Sequence, residues 1–284
     1  MNTKPMLASD FVKYVSSLPD ADDIIEGILP KGETALFCGA PYSCKSLEVQ
    51  RLTCQFPVGG DYHGLKVKMC DAAYLTWEGS QKGLANRFSR FIQGVPLVKN
   101  PVMWKLDEQT PLNTKEGYKL FLEVVKQIRA IRNATVLVID SFPYTIRGDH
   151  KSDVTVGAWW EAVQKLSNTQ GITCIFVWEF TKPIIFRGDV VNPYGLERLK
   201  SAYQTAYKVN TVIGMGEWSK TIRLGKSIER IRSPQIVGMK VKDGATLPPL
   251  NVTLDTKTLC LNGEYWKFDE ETQAYIVIKD GKNE

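Results

Sequence analysis

The chain has 284 residues, 43% of them hydrophobic and 24% charged, with a formal net charge of +5. That length and balance supply one sizeable core plus a small addition, and they exclude a disordered, fibrous or disulfide-framed protein. The mild basic excess is compatible with a nucleic-acid partner without establishing one. The six cysteines include no C-x-x-C pair, which fits a reducing compartment. The two histidines, His63 and His150, have no metal-ligand spacing around them, so no zinc site is expected. No apolar run reaches membrane-spanning length and the N-terminus lacks the apolar core of a signal peptide, so a cytoplasmic, non-membrane protein is expected.

Taken in order, residues 8–18 have apolar positions at helical spacing behind Ser9 or Asp10 as a cap. A lead-in, Ile24 to Gly32, precedes an apolar strand, Thr34 to Cys38. Gln55 to Leu65 holds Pro57, Gly59, Gly60 and Gly64 and reads as a loop. Asp71 to Glu78 is a second strand ending in an acid, followed by a helix over Gln81–Gln93 with Leu84, Phe88 and Phe91 on one face. Val102 to Leu106 is a short strand. Lys115 to Ile131 is an amphipathic helix with Leu120, Val124, Val125 and Ile128 facing inward.

Ala134 to Asp140 is continuously apolar until its aspartate, as is Ile172 to Trp178 before Glu179. Apolarity without alternation marks strands covered on both faces of a parallel sheet. The helix between them, Asp153 to Asn168, has Trp159 and Trp160 in packing roles. Strands alternating with helices of crossover length argue for an α/β fold with a mostly parallel sheet. Thr181 to Lys200 reads as a long loop. Alternating segments, Tyr207 to Met215 and Ser219 to Leu224, read as antiparallel strands added late, and Val252 to Ile278 as a small β appendage with Asn262-Gly263 as a turn.

Between the first strand and Leu47 lies Gly39-Ala40-Pro41-Tyr42-Ser43-Cys44-Lys45-Ser46. Its spacing is that of a phosphate-binding loop, G-x-x-x-x-G-K-[ST], with Cys44 where glycine is usual. A strand, a tight loop and a helix N-terminus aim backbone N–H groups at one point, which suits a phosphate. Lys45 would reach the outer phosphates and the Ser46 hydroxyl would hold Mg²⁺. The Cys44 thiol lies beside Lys45 and a helix N-terminus, a setting that lowers thiol pKa values. Its Cβ stands where a positive φ is usual.

Together with Ile24 to Pro30, Tyr74-Leu-Thr-Trp-Glu78 with Arg87-Phe88, Val136 to Asp140, and Ile175 to Lys182, this loop resembles the motif series of RecA-like P-loop ATPases. Within them it resembles the RepA-type hexameric replicative helicase branch. The resemblance covers roughly residues 22–232 and implies ATP and Mg²⁺ as cofactors. It implies Asp140 as a metal-holding acid alongside Ser46, Glu78 as the residue that polarises the attacking water, and Lys226 and Arg230 as cations offered to a neighbouring subunit's site.

The resemblance departs at Cys44 and at Trp178-Glu179-Phe180, where a polar sensor is usual and Glu179 or Thr181 would substitute. It implies a homo-oligomeric, hexameric ring acting on single-stranded DNA, with RNA left open. Loop residues Lys182, Arg187, Arg198 and Lys200 then face the nucleic acid, with Tyr144, Phe186 and Tyr194 available for stacking. A recombinase or recombination mediator of the same fold, and a weakly hydrolysing nucleotide-binding scaffold, are the alternatives. The expected organisation is a lead-in over 1–21, a RecA-like core over 22–245 and a β extension over 246–284.

Overall fold

The apolar runs around Leu36, Tyr74, Val138 and Ile175 form the centre of a nine-stranded sheet. The structure, a computed structural model, describes residues 7–16, 22–40, 43–179, 185–186, 189–190, 208–224, 227–241, 247–272 and 274–279. The strands of the main sheet are β1 (Thr34–Gly39), β2 (Ala72–Thr76), β3 (Val102–Lys105), β4 (Val136–Asp140), β5 (Thr173–Glu179), β6 (Thr211–Leu224), β7 (Ser227–Val241), β8 (Leu250–Leu254) and β9 (Leu261–Gly263). They lie in the order β9-β8-β7-β6-β1-β5-β4-β2-β3. From β6 to β3 every pairing is parallel. From β6 to β9 every pairing is antiparallel.

Successive residues of each central strand enter opposite cores, because side chains alternate across a sheet. Leu36, Cys38, Leu75, Ile139 and Phe176 pack on one face with Phe121, Val125 and Trp159. Ala35, Phe37, Tyr74, Val138 and Ile175 pack on the other with Val49, Leu52 and Leu84. Covering both faces is what removes polar alternation from these strands.

The helices are α1 (Ala8–Ser16), α2 (Lys45–Gln55), α3 (Gln81–Phe91), α4 (Lys115–Ile131) and α5 (Asp153–Gln170). Ser80, Thr114 and Ser152 cap α3, α4 and α5 by accepting a backbone N–H. Gly171, in the left-handed region at φ 62, ends α5. No helix among the described residues is long and apolar enough to cross a membrane.

Four expectations are corrected. The glycine-rich stretch 55–65 contains a hairpin strand, Gly60–Tyr62, paired with Leu65–Val67 in a small sheet that also holds Asp23–Ile25 and Leu29–Pro30. Its turn uses His63 and Gly64 at positive φ. On α4, Phe121 is buried and Leu120 is exposed, since the buried stripe Gly117, Phe121, Val124, Val125, Ile128 leaves Leu120 on its flank. Residues 211–215 and 219–224 of the two alternating segments belong to one strand, β6, and its first five residues run parallel to β1; Gly216-Glu217 imitated a break. Asn262-Gly263 lies within β9 rather than at a turn, and a Cβ at Gly263 would crowd the Asn251 carbonyl.

Candidate functional site

The site begins where β1 ends. A Cβ on Gly39 would overlap the Met215 carbonyl oxygen of β6 and Ser43 Oγ. Only glycine lets the loop turn so close to its neighbouring strand. The loop ends at Cys44, which has φ 65 and ψ 13, the left-handed conformation that explains the preference for glycine here. Among the described residues no side chain caps α2, so the helix presents its first backbone donors to the loop's concave side. Lys45 is buried, and its Nζ donates to the Ala40 carbonyl at 2.8 Å, folded back over the loop. Ser46 and Leu47 are half-buried on the first turn of α2. Pro41 and Tyr42 lie outside the described residues.

The Cys44 thiol is not activated. Burial raises its pKa above the ordinary value and nearby Glu48 raises it further, against a smaller opposing pull from Lys45. The expectation of an easily ionised thiol fails because the side chain is half-buried against the core and faces a carboxylate as well as the lysine.

Asp140 closes β4, where Thr76 of β2 is its register partner. It is 5% exposed. Tyr74 Oη donates to its Oδ2 at 2.5 Å, and Ser46 lines the same cavity. Burial favours its neutral form and raises its pKa; the Tyr74 hydrogen bond and the Ser46 hydroxyl, then the charges of Lys45 and Arg87, oppose this. A buried carboxylate facing a lysine and a serine hydroxyl has the donor set of a Mg²⁺–phosphate site, since Mg²⁺ prefers carboxylate, hydroxyl and phosphate oxygens. The residues therefore fit that ion, with Ser46 and Asp140 as those that would hold it, directly or through water.

Glu78 stands two residues past β2, exposed, before Gly79 at φ 79. Its Oε1 accepts from Ser141 Oγ at 3.1 Å. Glu179, half-buried at the end of β5, is the register partner of Gly39. A cavity of about 610 Å³ brings Lys45, Ser46, Glu78, Asp140 and Glu179 together at the C-terminal edge of the sheet, where ligands of open parallel sheets sit. Gln109, Ser141, Pro143, Tyr144, Val177 and Trp178 complete its wall. Tyr144 is stacked on Trp77, with ring centroids 5.5 Å apart and planes 5° from parallel.

Sequence reasoning missed Ser141, Gln109 and the roles of Tyr74 and Gln50. Ser141 directly follows Asp140, and that adjacency was the one available signal. Of the other expected site residues, Lys182, Arg187, Arg198, Lys200 and Lys226 lie outside the described residues, as do Thr181 and Tyr194. Arg230 lies in β7, its backbone opposite Thr221. Thr221 is six residues beyond Met215, where the pairing of β6 with β1 ends, so Arg230 stands roughly 20 Å along the ribbon from that point at ~3.4 Å per residue.

The pattern of a family described as AAA domain (AAA_25) matches residues 2–183, more than half of the chain. No curated protein sequence matches the chain significantly. Among solved structures, a KaiC-like protein from the hyperthermophilic archaeon Pyrococcus horikoshii OT3 aligns with a TM-score of 0.52 at 14% identity, over 87% of this chain and 97% of that one. At that identity the likeness is one of fold. With the phosphate loop, the metal-type carboxylate and the sheet order described, the chain belongs to the AAA domain family and has the fold of RecA-like P-loop ATPases.

Proposed function

We propose that this protein binds ATP with Mg²⁺ in the 610 Å³ cavity, hydrolyses it, and uses the turnover to move on single-stranded DNA as a ring-forming replicative helicase of a plasmid- or phage-type element. The observation that carries the proposal is the convergence of Lys45, Ser46, Asp140 and Glu78 on one cavity from three separate strand ends. Lys45 and the backbone donors of α2 neutralise phosphate charge. Bound Mg²⁺ supplies further neutralisation of the transferring phosphoryl group. Glu78, exposed to solvent and steadied by Ser141, polarises the attacking water. Phosphoryl transfer needs this positioning and charge more than covalent chemistry.

Arg230 and Lys226 act on the neighbouring subunit's site. The reach of roughly 20 Å along the ribbon supports action in trans for Arg230, which pairs with Thr221 beyond the stretch of β6 that pairs with β1. Lys182, Arg187, Arg198 and Lys200, with Tyr144 on its Trp77 platform, contact the nucleic acid. The test is ATP turnover with and without single-stranded DNA, in the native chain and in Lys45→Ala, followed by unwinding of a forked duplex. DNA-stimulated turnover that Lys45→Ala abolishes, with strand separation, supports the proposal. Stimulated turnover without unwinding favours a recombinase, and binding without turnover favours a scaffold. The last reading has its own motive in the side chain at position 44.

A further inference from the structure

Three buried side chains from three elements meet behind the metal-type carboxylate. Gln50 of α2 is fully buried, and its Nε2 donates to Tyr74 Oη at 2.8 Å. Tyr74 of β2, also fully buried, donates to Asp140 Oδ2 of β4 at 2.5 Å. The direction of this relay is fixed by chemistry. Tyr74 commits its single phenolic proton to Asp140, so Gln50 has to turn its amide N–H toward the phenol. Gln50 Oε1 is then buried with no partner among the described residues, an arrangement that costs stability. A leucine at position 50 would fill the same apolar space without that cost. The relay also joins the phosphate-loop helix to the acid: Gln50 is five residues from Lys45 on α2.

We infer that Tyr74, oriented by Gln50, is the positioning residue for Asp140, occupying Oδ2 and thereby fixing which edge of the carboxylate meets the metal beside Ser46. This rests on the nucleotide-binding reading above. Tyr74 touches neither nucleotide nor metal. It acts by removing the rotational freedom of the carboxylate, so that the group is held in its working orientation before the ligand arrives. Its contribution is therefore confined to the metal-dependent part of nucleotide affinity.

The experiment measures ATP affinity by calorimetry, once with Mg²⁺ and once with excess EDTA, for the native chain, Tyr74→Phe and Gln50→Leu. Thermal unfolding without ligand is recorded in parallel. Tyr74→Phe is expected to lower the Mg²⁺-dependent gain in affinity about tenfold, the effect of one charge-assisted hydrogen bond, with EDTA-measured affinity unchanged. Gln50→Leu is expected to move the same ratio in the same direction by less, while its unfolding temperature holds or rises. An unchanged ratio in Tyr74→Phe overturns the relay, and so does an equal fall of both affinities, which a merely structural role would give. Absence of ATP binding by the native chain overturns the nucleotide reading and the relay together, so the two failures are distinguishable.

Discussion

Ser141 Oγ lies 3.1 Å from Glu78 Oε1. The residue after one strand thus steadies the exposed acid that follows another. Glu78→Gln is expected to leave MgATP affinity close to native and to cut turnover about 100- to 10,000-fold, the range for loss of a general base. Ser141→Ala leaves the carboxylate in place but untethered, and should cost about tenfold, the size of one charge-assisted hydrogen bond. Single-turnover phosphate release beside calorimetric binding checks both. Equal turnover in Glu78→Gln and the native chain would reduce Glu78 to a turn residue.

Gly39→Ala is expected to abolish tight nucleotide binding and to destabilise the fold by about 1–3 kcal/mol, as overpacking does. One clashing atom is the Met215 backbone oxygen, which cannot rotate away. Calorimetry and denaturant unfolding report the two effects separately, and a variant that binds MgATP normally would refute the tight approach of β6 to the loop.

Cys44→Gly is expected to strengthen MgATP binding or to speed hydrolysis. The residue holds a left-handed conformation at φ 65 that costs a side-chain-bearing residue about 1–2 kcal/mol. Glycine loosens the unfolded chain by about 0.4–1 kcal/mol, a smaller opposing effect. Titration of both proteins with ATP, and their turnover, decide the matter: no gain in either means the thiol side chain is accommodated without strain.

Glu48 predicts an acid-sensitive helix. It is 1% exposed, with Arg51 Nη2 at 2.7 Å and His63 Nε2 at 2.9 Å from its Oε1. Burial pushes its pKa up, but Arg51 and His63 together outweigh that and hold it at about 2, below the ordinary 4.5. A lowered folded pKa means the stabilisation is complete above about pH 4.5 and is lost as the pH falls toward 2. The interval corresponds to about 3 kcal/mol at 1.36 kcal/mol per unit. Glu48→Gln should lose stability of that order at pH 7 and show a flatter loss between pH 4.5 and 2, measured by urea unfolding across that range. An acid limb as steep as the native one would remove Glu48 from the account.

The parts legible in the sequence are those where local pattern and burial agree. Val136 to Ile139 is apolar on both faces because both faces are covered, and Asp140 stood out as the polar end of that run. The helix Lys115–Ile131 was bounded correctly because Thr114 caps it. What was not legible depends on contacts between distant segments. Tyr74 reads as one more core aromatic until the fold sets its hydroxyl against a carboxylate 66 residues away. The hairpin inside the glycine-rich stretch 55–65 was hidden because its strands are three residues each. The second of them, Leu65–Val67, is held by pairing with the lead-in rather than by a pattern of its own. The parallel seat of β6 beside β1 has no local signal at all, since antiparallel partners and parallel ones alternate in the same way.

That seat has a bearing on how the protein is made. β1 has β5 on one side and β6 on the other. A chain emerging from the ribosome therefore carries Lys45, Ser46, Glu78, Asp140 and Glu179 before the second neighbour of β1 exists. Until residues 211–215 arrive, the amides and carbonyls along that side of β1 are an open edge, a template for a strand of another molecule. The Met215 oxygen that limits the space at Gly39 is missing as well. Non-local parallel pairing is slow to form and exposed to aggregation while it waits. The pocket, whose lining is complete by residue 179, is thus bordered at Gly39 by a strand that is synthesised later.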